Sequence, residues 1–437
     1  MMPLAIRRAA RWTSSFTALL LTLSLSIAPD SALAAVVGDR VELRATHPAG
    51  VPLHSTPGGG QRFQRVPDGT VATVIGLERG GSWLELRVPD DRTGWISARY
   101  VGHTLVGSPP PDPSAERQVW TLPEGCQQVV ASGGRMAPAD PATLRVGTWN
   151  IRWFPRGCPS NRTCPDQATD ISWLACTMAW MHTDRFALQE ILATPDAELS
   201  LNALRSELDR LTGGSWQVDL QACGGASDPH VGFLWNGSRV AWLQRTDAWE
   251  LNGAATGPTG RACAGNLCPG RYAWAKTPIG VDFHLLSVHV DSGTEGRDDE
   301  HRRQAAQRLD DIMIGTTPIL DHDRDVLVLG DYNTMGREDA PPISGQEELA
   351  VFDRELAPGF LRLAMAPNCT EYFEGKGGSL DHLVASTGRQ EVAATARVTG
   401  YCPVAGCAPI VGALPAAAER LSDHCPVVVD IQDRDLD

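Results

Sequence analysis

Apolar residues recur along this chain in two different rhythms. Between residues 37 and 103 they form short runs, Val41–Leu43, Val51–Leu53, Val71–Ile75 and Trp83–Leu86, closing at Gly94-Trp95-Ile96-Ser97 and Tyr100-Val101. Gly and Pro punctuate these runs at Gly50, Pro57 to Gly60, Pro67 to Gly69 and Gly80-Gly81. Many short strands divided by turn residues predict a small all-β barrel or sandwich. Residues 104–117 contain GSPPPDP, from Gly107 to Pro113, a Pro-rich and extended linker. From residue 118 to 437 strand-like runs alternate with helical ones at Ile171 to Met181, Leu199 to Leu211 and His301 to Ile314. The last spaces Ala305-Ala306, Leu309 and Ile312-Met313 as one apolar face on an Arg/Asp background. The pattern predicts an α/β (α+β) sandwich as the second domain.

The length of 437 residues agrees with two domains, and 42% hydrophobic with 21% charged residues describes a globular chain. Arg7, Arg8 and Arg11 precede an apolar run from Phe16 to Ile27 and the small residues Ala32-Leu33-Ala34. Residues 1–34 therefore read as a secretory signal peptide, and no later run approaches the roughly 20 apolar residues of a membrane span. Its removal takes three Arg and Asp30 and moves the net charge from −14 to −16. Such a chain does not attract polyanions in bulk, so a phosphate-bearing substrate requires local cations, most simply a divalent metal. Export predicts oxidised cysteines. Of the eleven, the spacings 158/164, 263/268 and 402/407 suggest local loops, and Cys425 is the expected free thiol. No CxxC pairs or interleaved histidines propose zinc instead.

Candidate chemistry sits where strand-like runs end. LRVGTWN ends at Asn150, ALQEIL carries Gln189-Glu190, and LLSVH ends at His289. VLVLGDYN carries Asp331 and Asn333, SLDHLV carries Asp381-His382, and LSDHCP carries Asp423-His424 ahead of Val427-Val428-Val429. Each alone has a structural explanation: Glu190 as a strand-end carboxylate, His289 as a core histidine, Asp331 and Asn333 as an Asx turn, Asp381 as a cap. Together they supply what phosphodiester hydrolysis requires. Carboxylate and amide oxygens suit magnesium, a polar group can position water, and an imidazole can stabilise the transition state.

TWN, LQE, SVH, GDYN, SLDH and LSDHCP, in this order, resemble the endonuclease/exonuclease/phosphatase superfamily, which includes the pancreatic-type deoxyribonucleases. The match spans most of residues 144–431. It implies a four-layered α/β sandwich with two packed sheets and a site at one end. It also implies metal ligation by Glu190, assisted by Asn150 and Asp423, with magnesium as the cation and manganese or calcium as alternatives. Asp331 and Asn333 would position water and phosphate. His424 would act on the nucleophile or scissile phosphate, oriented by Asp381, while His289 would bind a phosphoryl oxygen and Arg271, in PGRYAWAKTP, a phosphate. GWISARYV, GVPLHSTP and VPDGT resemble bacterial Src-homology-3-like domains, implying a cell-wall or protein ligand for residues 37–103.

Departures from the pancreatic-type pattern narrow the expectation. Ile191-Leu192-Ala193 follow Glu190 where those enzymes carry a groove-inserting Arg, and GGASDPH, from Gly224 to His230, lacks their stacking Tyr. For a carboxylate behind His289 the sequence offers Asp228, or His230 in its place. The expected function is a secreted or envelope-located bacterial phosphodiesterase, monomeric, acting on nucleic acid, DNA ahead of RNA. The alternatives are a lipid phosphodiesterase of the sphingomyelinase kind, an inositol phosphate hydrolase, and a non-catalytic envelope-binding protein. SLDHLV in place of a Trp-Cys-Asp-Arg signature weighs against inositol phosphates. The absence of an evident aromatic hairpin weighs against a membrane-active lipase.

Overall fold

The computed structural model describes residues 40–45, 47, 49–59, 62–78, 83–88, 92–105, 113–136, 143–159, 164, 167–222, 225–248, 251, 268–278, 280–309, 325–339, 341–434 and 436. The expected signal peptide, Cys223, Cys263 and the core of the Pro-rich linker lie outside these residues. Contacts divide the chain into two units, Met1–Leu105 and Val106–Asp437.

The first unit is all-β. Arg62–Val66, Val51–His54, Thr93–Ser97, Trp83–Arg87, Val71–Leu77, Arg40–Leu43 and Val101–Leu105 form one seven-stranded sheet in that spatial order. Alternation places Val41, Leu43, Val51, Leu53, Val74, Leu84, Leu86 and Ile96 in a common core. Arg62–Val66 was not legible as a strand, because its RFQRV sequence is mostly polar and it lies at the sheet edge.

The second unit is built on two sheets. In the first, Trp216–Leu220, His230–Asn236, Arg185–Ile191, Thr143–Phe154, Val427–Gln432, Thr395–Val398 and Ala364–Ala366 are neighbours in that order. In the second, the order is Ala241–Ala248, Cys268–Lys276, Asp282–His289, Val326–Asp331, Asp381–Ser386 and Phe360–Arg362. One core joins the facing sides, with Val146, Ala187 and Val429 of the first sheet clustered with Leu285, Leu327, Leu329 and Leu383 of the second. The helices Pro113–Thr121, Pro123–Ala131, Ile171–Met181 and Pro195–Thr212 complete that cluster beyond the first sheet, where Trp120 meets Trp149 and Trp180 edge-on. The other side of the second sheet presents Tyr272, Leu286, Val288, Val328 and Val384 to Ala305, Ala306, Phe352 and Leu356 on Gly296–Gln307 and Gly345–Leu356. Helix, sheet, sheet and helix make the four-layered α/β sandwich.

Local chemistry sets the element ends. Ile171–Met181 begins on Asp170, whose carboxylate accepts the Trp173 N–H, and ends on His182 in the left-handed region. The third expected helix starts earlier than its apolar face suggested, at Gly296, because Glu295 and Asp298 form a reciprocal capping box. The helix Pro113–Thr121 begins inside the span expected as linker. Among the described residues no helix is long and apolar enough to cross a membrane.

Four disulfides join described cysteines: Cys126–Cys176, Cys158–Cys164, Cys369–Cys407 and Cys402–Cys425. The 158/164 loop closes as expected, and 263/268 falls outside the described side chains. The 402/407 loop does not close, and Cys425 is not a free thiol. The short helix Tyr401–Ala405 buries Cys402 against the residues leading into the last strand. Gly406 and Cys407, both at positive φ, then turn Cys407 away toward Cys369.

Candidate active site

Register alone brings three expected residues side by side. His289 lies opposite Asp331 on parallel neighbours, and Asp331 lies opposite Asp381 on antiparallel ones. Directly paired residues share a face, so the three side chains form a row across strands spaced about 4.8 Å apart. His289 Nε2 stands 3.5 Å from Asp331 Oδ2. Glycine at 330 is a steric requirement, since a Cβ there would stand 1.9 Å from the Val288 carbonyl oxygen. Beyond Asp331 the chain turns sharply. Asp331 Oδ1 accepts the Asn333 N–H at 2.9 Å, Asn333 takes φ +49, and its side chain donates to the Val290 carbonyl at 2.9 Å. The Asx turn and the site are thus the same structure.

The first sheet supplies the facing residues. Asn150 and Gln189 are paired in register, and the strand bulges between Asn150 and Phe154 through Arg152 and Trp153, both at positive φ. That bulge aims the Trp153 N–H at Glu190 Oε2, 3.1 Å away. Glu190 itself takes φ +61, an uncommon conformation for a non-glycine residue and one found at sites the surroundings over-determine. Asn150 Nδ2 donates to Glu190 Oε1 and to Asp331 Oδ2, both at 3.0 Å, while its Oδ1 accepts the Arg152 N–H at 3.0 Å. The reverse amide orientation would aim an oxygen at two carboxylates, so the donor pattern fixes it. Asn150 therefore enters the group through its NH2 and bridges the two sheets. Below it, Thr148, Gln189 and Ser287 continue a buried hydrogen-bonded chain from sheet to sheet.

Ser422 anchors the Asp-His segment, donating to the Asn150 carbonyl at 2.7 Å and accepting the His424 N–H at 3.0 Å. Trp149 Nε1 donates to the His424 carbonyl at 3.0 Å. His424 Nδ1 then meets Asp381 Oδ2 at 2.8 Å, and its Nε2 faces Asp331 Oδ2 at 3.8 Å. The Asp381 contact fixes Nδ1 as the protonated donor, leaving Nε2 toward the site. Burial alone would lower the His424 pKa, but the charges of Asp381 and Asp331 outweigh it and hold the imidazole well above its ordinary value. Burial pushes Asp381 up, to about 6, and raises Glu190 as well.

Glu190, His289 and Asp331 bring one ligand atom each within 4.8 Å of one another, as do Asp331, Asp381 and His424. Either group could hold a metal ion, and the donors fit a hard divalent cation. Among the described residues neither Glu190 nor Asp331 pairs with Arg or Lys; imidazoles and N–H groups face them instead. Asp423, beside His424, acts on Glu190 by charge but lies in neither group. Arg271 is taken up by two other carboxylates, Asp219 and Asp247, at 2.7 Å each. Asp228 closes its own turn on the Gly225 N–H, and His230 Nε2 meets the Gly225 carbonyl; the carboxylates near His289 are Glu190 and Asp331.

Six ordered motifs meet at one end of the sandwich.

Three solved structures are similar to this chain over about two thirds of its length. An endonuclease/exonuclease/phosphatase from Bacteroides vulgatus has 16% identity and a TM-score of 0.44, covering 66% of this chain and 98% of its own. An endonuclease/exonuclease/phosphatase family protein from Leptotrichia buccalis has 15% identity and a TM-score of 0.43, with 66% and 99% covered. A mannosyl-6-phosphatase from Bacteroides thetaiotaomicron has 16% identity and a TM-score of 0.41, with 65% and 98% covered. No family model matches the chain. No curated protein matches it either.

The second unit also contains groups that the motifs did not announce. Glu371 pairs across the chain with His424, is buried, and is pushed up to about 8 by burial and by the neighbouring Asp423, Asp331 and Asp381. It lies in Thr-Glu-Tyr-Phe, which carries no motif; only the fold brings it to the site. His382 was visible within SLDH. Its Nε2 donates to Thr334 Oγ1 at 3.0 Å, because that hydroxyl itself donates to the Ser379 carbonyl, and burial holds the ring neutral with a pKa of about 3. This neutral histidine braces the turn carrying Asn333.

Proposed function

We propose that the second unit is a divalent-metal-dependent phosphodiesterase acting on nucleic acid, DNA ahead of RNA. The observation that carries this reading is the pair of ligand groups meeting at Asp331, one completed by Glu190 and His289, the other by Asp381 and His424. Glu190 and Asp331 would hold the cation, with Asn150 fixing both carboxylates and Asp423 adding charge from the far side. A bound magnesium ion supplies neutralisation of charge on the phosphoryl oxygens, and manganese or calcium accepts the same oxygen donors. His289 and the Asn333 turn border the same space and bind the phosphate and water. His424, charged and held by Asp381, presents Nε2 as a hydrogen-bond donor to the reacting oxygens. Arg271 would reach a phosphate only after release from Asp219 and Asp247.

Export to the cell envelope or beyond is part of the proposal, and the four disulfides support it. The first unit would then be a Src-homology-3-like module binding cell wall or protein.

The test is hydrolysis by the purified mature protein of plasmid DNA, RNA and sphingomyelin vesicles, each with magnesium or with chelator. Loss of DNA in magnesium alone is the expected result. DNA surviving while sphingomyelin is cleaved would overturn the nucleic-acid reading. Unchanged hydrolysis by Glu190→Gln on every substrate would overturn the enzyme.

A further inference from the structure

Glu371–Phe373 and Lys376–Gly378 form a two-stranded hairpin whose base belongs to the site. Glu371 bridges His424 in antiparallel register, the Tyr372 N–H donates to the Asp423 carbonyl at 3.0 Å, and the Cys425 N–H donates to the Thr370 carbonyl at 2.6 Å. Glu371 therefore shares its face with His424. Side chains alternate along a strand, so Phe373 lies on that face too, about 7 Å further toward the tip. Tyr372, on the opposite face, is buried and donates to the Ala408 carbonyl.

The tip is rigid and open at once. Glu374 and Gly375 both take positive φ, +49 and +77, as a two-residue type I′ turn requires. The Ile410 N–H donates to the Gly375 carbonyl at 2.8 Å, and Cys369–Cys407 staples the strand lead-in to the same supporting segment. Yet Phe373 is 67% exposed and makes no ring contact among the described residues. Its cross-strand partner is Lys376, one of only two lysines in the chain and also exposed. No aromatic hairpin is evident in the sequence, but the structure contains one with Phe373 beside its tip, and this corrects that expectation.

Resting on the nucleic-acid reading, we propose that Phe373 and Lys376 form a stacking platform for the base next to the scissile phosphodiester, selecting unpaired strands over duplex. An exposed ring on a pinned backbone gives a base a π-face without sequence preference, and the neighbouring ammonium meets the backbone phosphate. Bases inside a duplex have both faces covered, so only an unpaired or terminal base can lie on the ring. Val411, on the adjoining loop, is exposed as well, but Glu374 and Lys376 flank the ring with charge, which disfavours insertion into lipid.

The experiment compares the full mature chain with Phe373→Ala and Phe373→Trp on a single-stranded oligonucleotide, its blunt duplex, and the same strand with abasic spacers. Phe373→Ala is expected to raise KM on the single strand about tenfold with kcat within about twofold, Phe373→Trp to retain wild-type KM, and the abasic strand to be insensitive. A KM within twofold of wild type for Phe373→Ala, with Glu190→Gln still inactive on DNA, would overturn the platform and leave the nucleic-acid reading standing. Wild-type protein that cleaves sphingomyelin vesicles but no nucleic acid would overturn both, and weaker vesicle binding by Phe373→Ala would then make the tip a membrane contact.

Discussion

Arg302 and Glu348 form a buried two-pronged ion pair, Nε to Oε1 at 2.5 Å and Nη2 to Oε2 at 3.1 Å. The pair does more than join two helices. Arg302 donates to the carbonyls of Asp291 and Gly293, in the loop after His289, and to that of Gly336, in the loop after Asn333. Glu348 accepts the Gly336 N–H. Two loops bearing site residues are therefore fixed by a single charge pair beneath them.

Removing one partner leaves a buried charge, so Arg302→Met or Glu348→Gln is expected to cost about 3–5 kcal/mol in urea unfolding. The double variant Arg302→Met with Glu348→Met removes both charges and should recover most of that stability. It does not restore the loop hydrogen bonds. Its kcat on the assigned substrate is expected to stay at least about tenfold below wild type, since misplacement of catalytic groups is costly. Recovery of kcat along with stability would show that the pair does not position the loops.

Asp381 and His424 make a separable prediction. Asp381→Asn keeps a polar group against Nδ1 but removes the charge that holds the imidazole above its ordinary pKa. The imidazole then loses its proton at lower pH, so the alkaline limb of the kcat profile should move to lower pH. The loss in kcat should be about 10²–10⁴-fold. An unmoved limb would mean that His424 is not the group being titrated.

Metal binding can be read without turnover. A ligand that binds only the folded state raises its stability by RT ln(1 + [L]/Kd), about 2.7 kcal/mol at a hundredfold excess over Kd. Wild-type protein should therefore show a concentration-dependent rise in Tm with magnesium or manganese, and Glu190→Gln should lose most of it. Equal shifts in the two proteins would place the cation elsewhere.

The sandwich and the gathering of most candidate residues at one place were legible because both depend on local pattern. Apolar runs ending in TWN, LQE, SVH, GDYN, SLDH and LSDH put polar groups at strand ends, and strand register did the rest. What stayed hidden depends on tertiary direction. Nothing in the sequence shows that Asn150 presents its NH2, that Arg271 is claimed by Asp219 and Asp247, or that Glu371 folds beside His424. Cys425 shows the same limit: spacing favoured a bridge between Cys402 and Cys407, but the helix through Tyr401–Ala405 points its two ends at different partners.

His284 offers a stability test away from the site. It is fully buried, its ring nearly parallel to those of Tyr272 and Trp274 and its Nδ1 2.7 Å from the Tyr272 hydroxyl, and burial lowers its pKa to about 4. In the unfolded chain the group titrates near 6.5. The folded state therefore binds fewer protons than the unfolded state between these values, and stability falls as pH drops through that window; the contribution is complete above about 6.5. Glu371 pulls the opposite way, because a carboxyl raised to about 8 in the fold favours folding as pH falls. The informative quantity is thus a difference between two proteins. His284→Phe keeps an aromatic ring in place and cannot titrate. The stability of wild type relative to this variant, from urea unfolding without metal, should decrease by roughly 2 kcal/mol between pH 7.5 and pH 5. A difference that stays level across that range would mean that folding leaves the His284 pKa near its unfolded value.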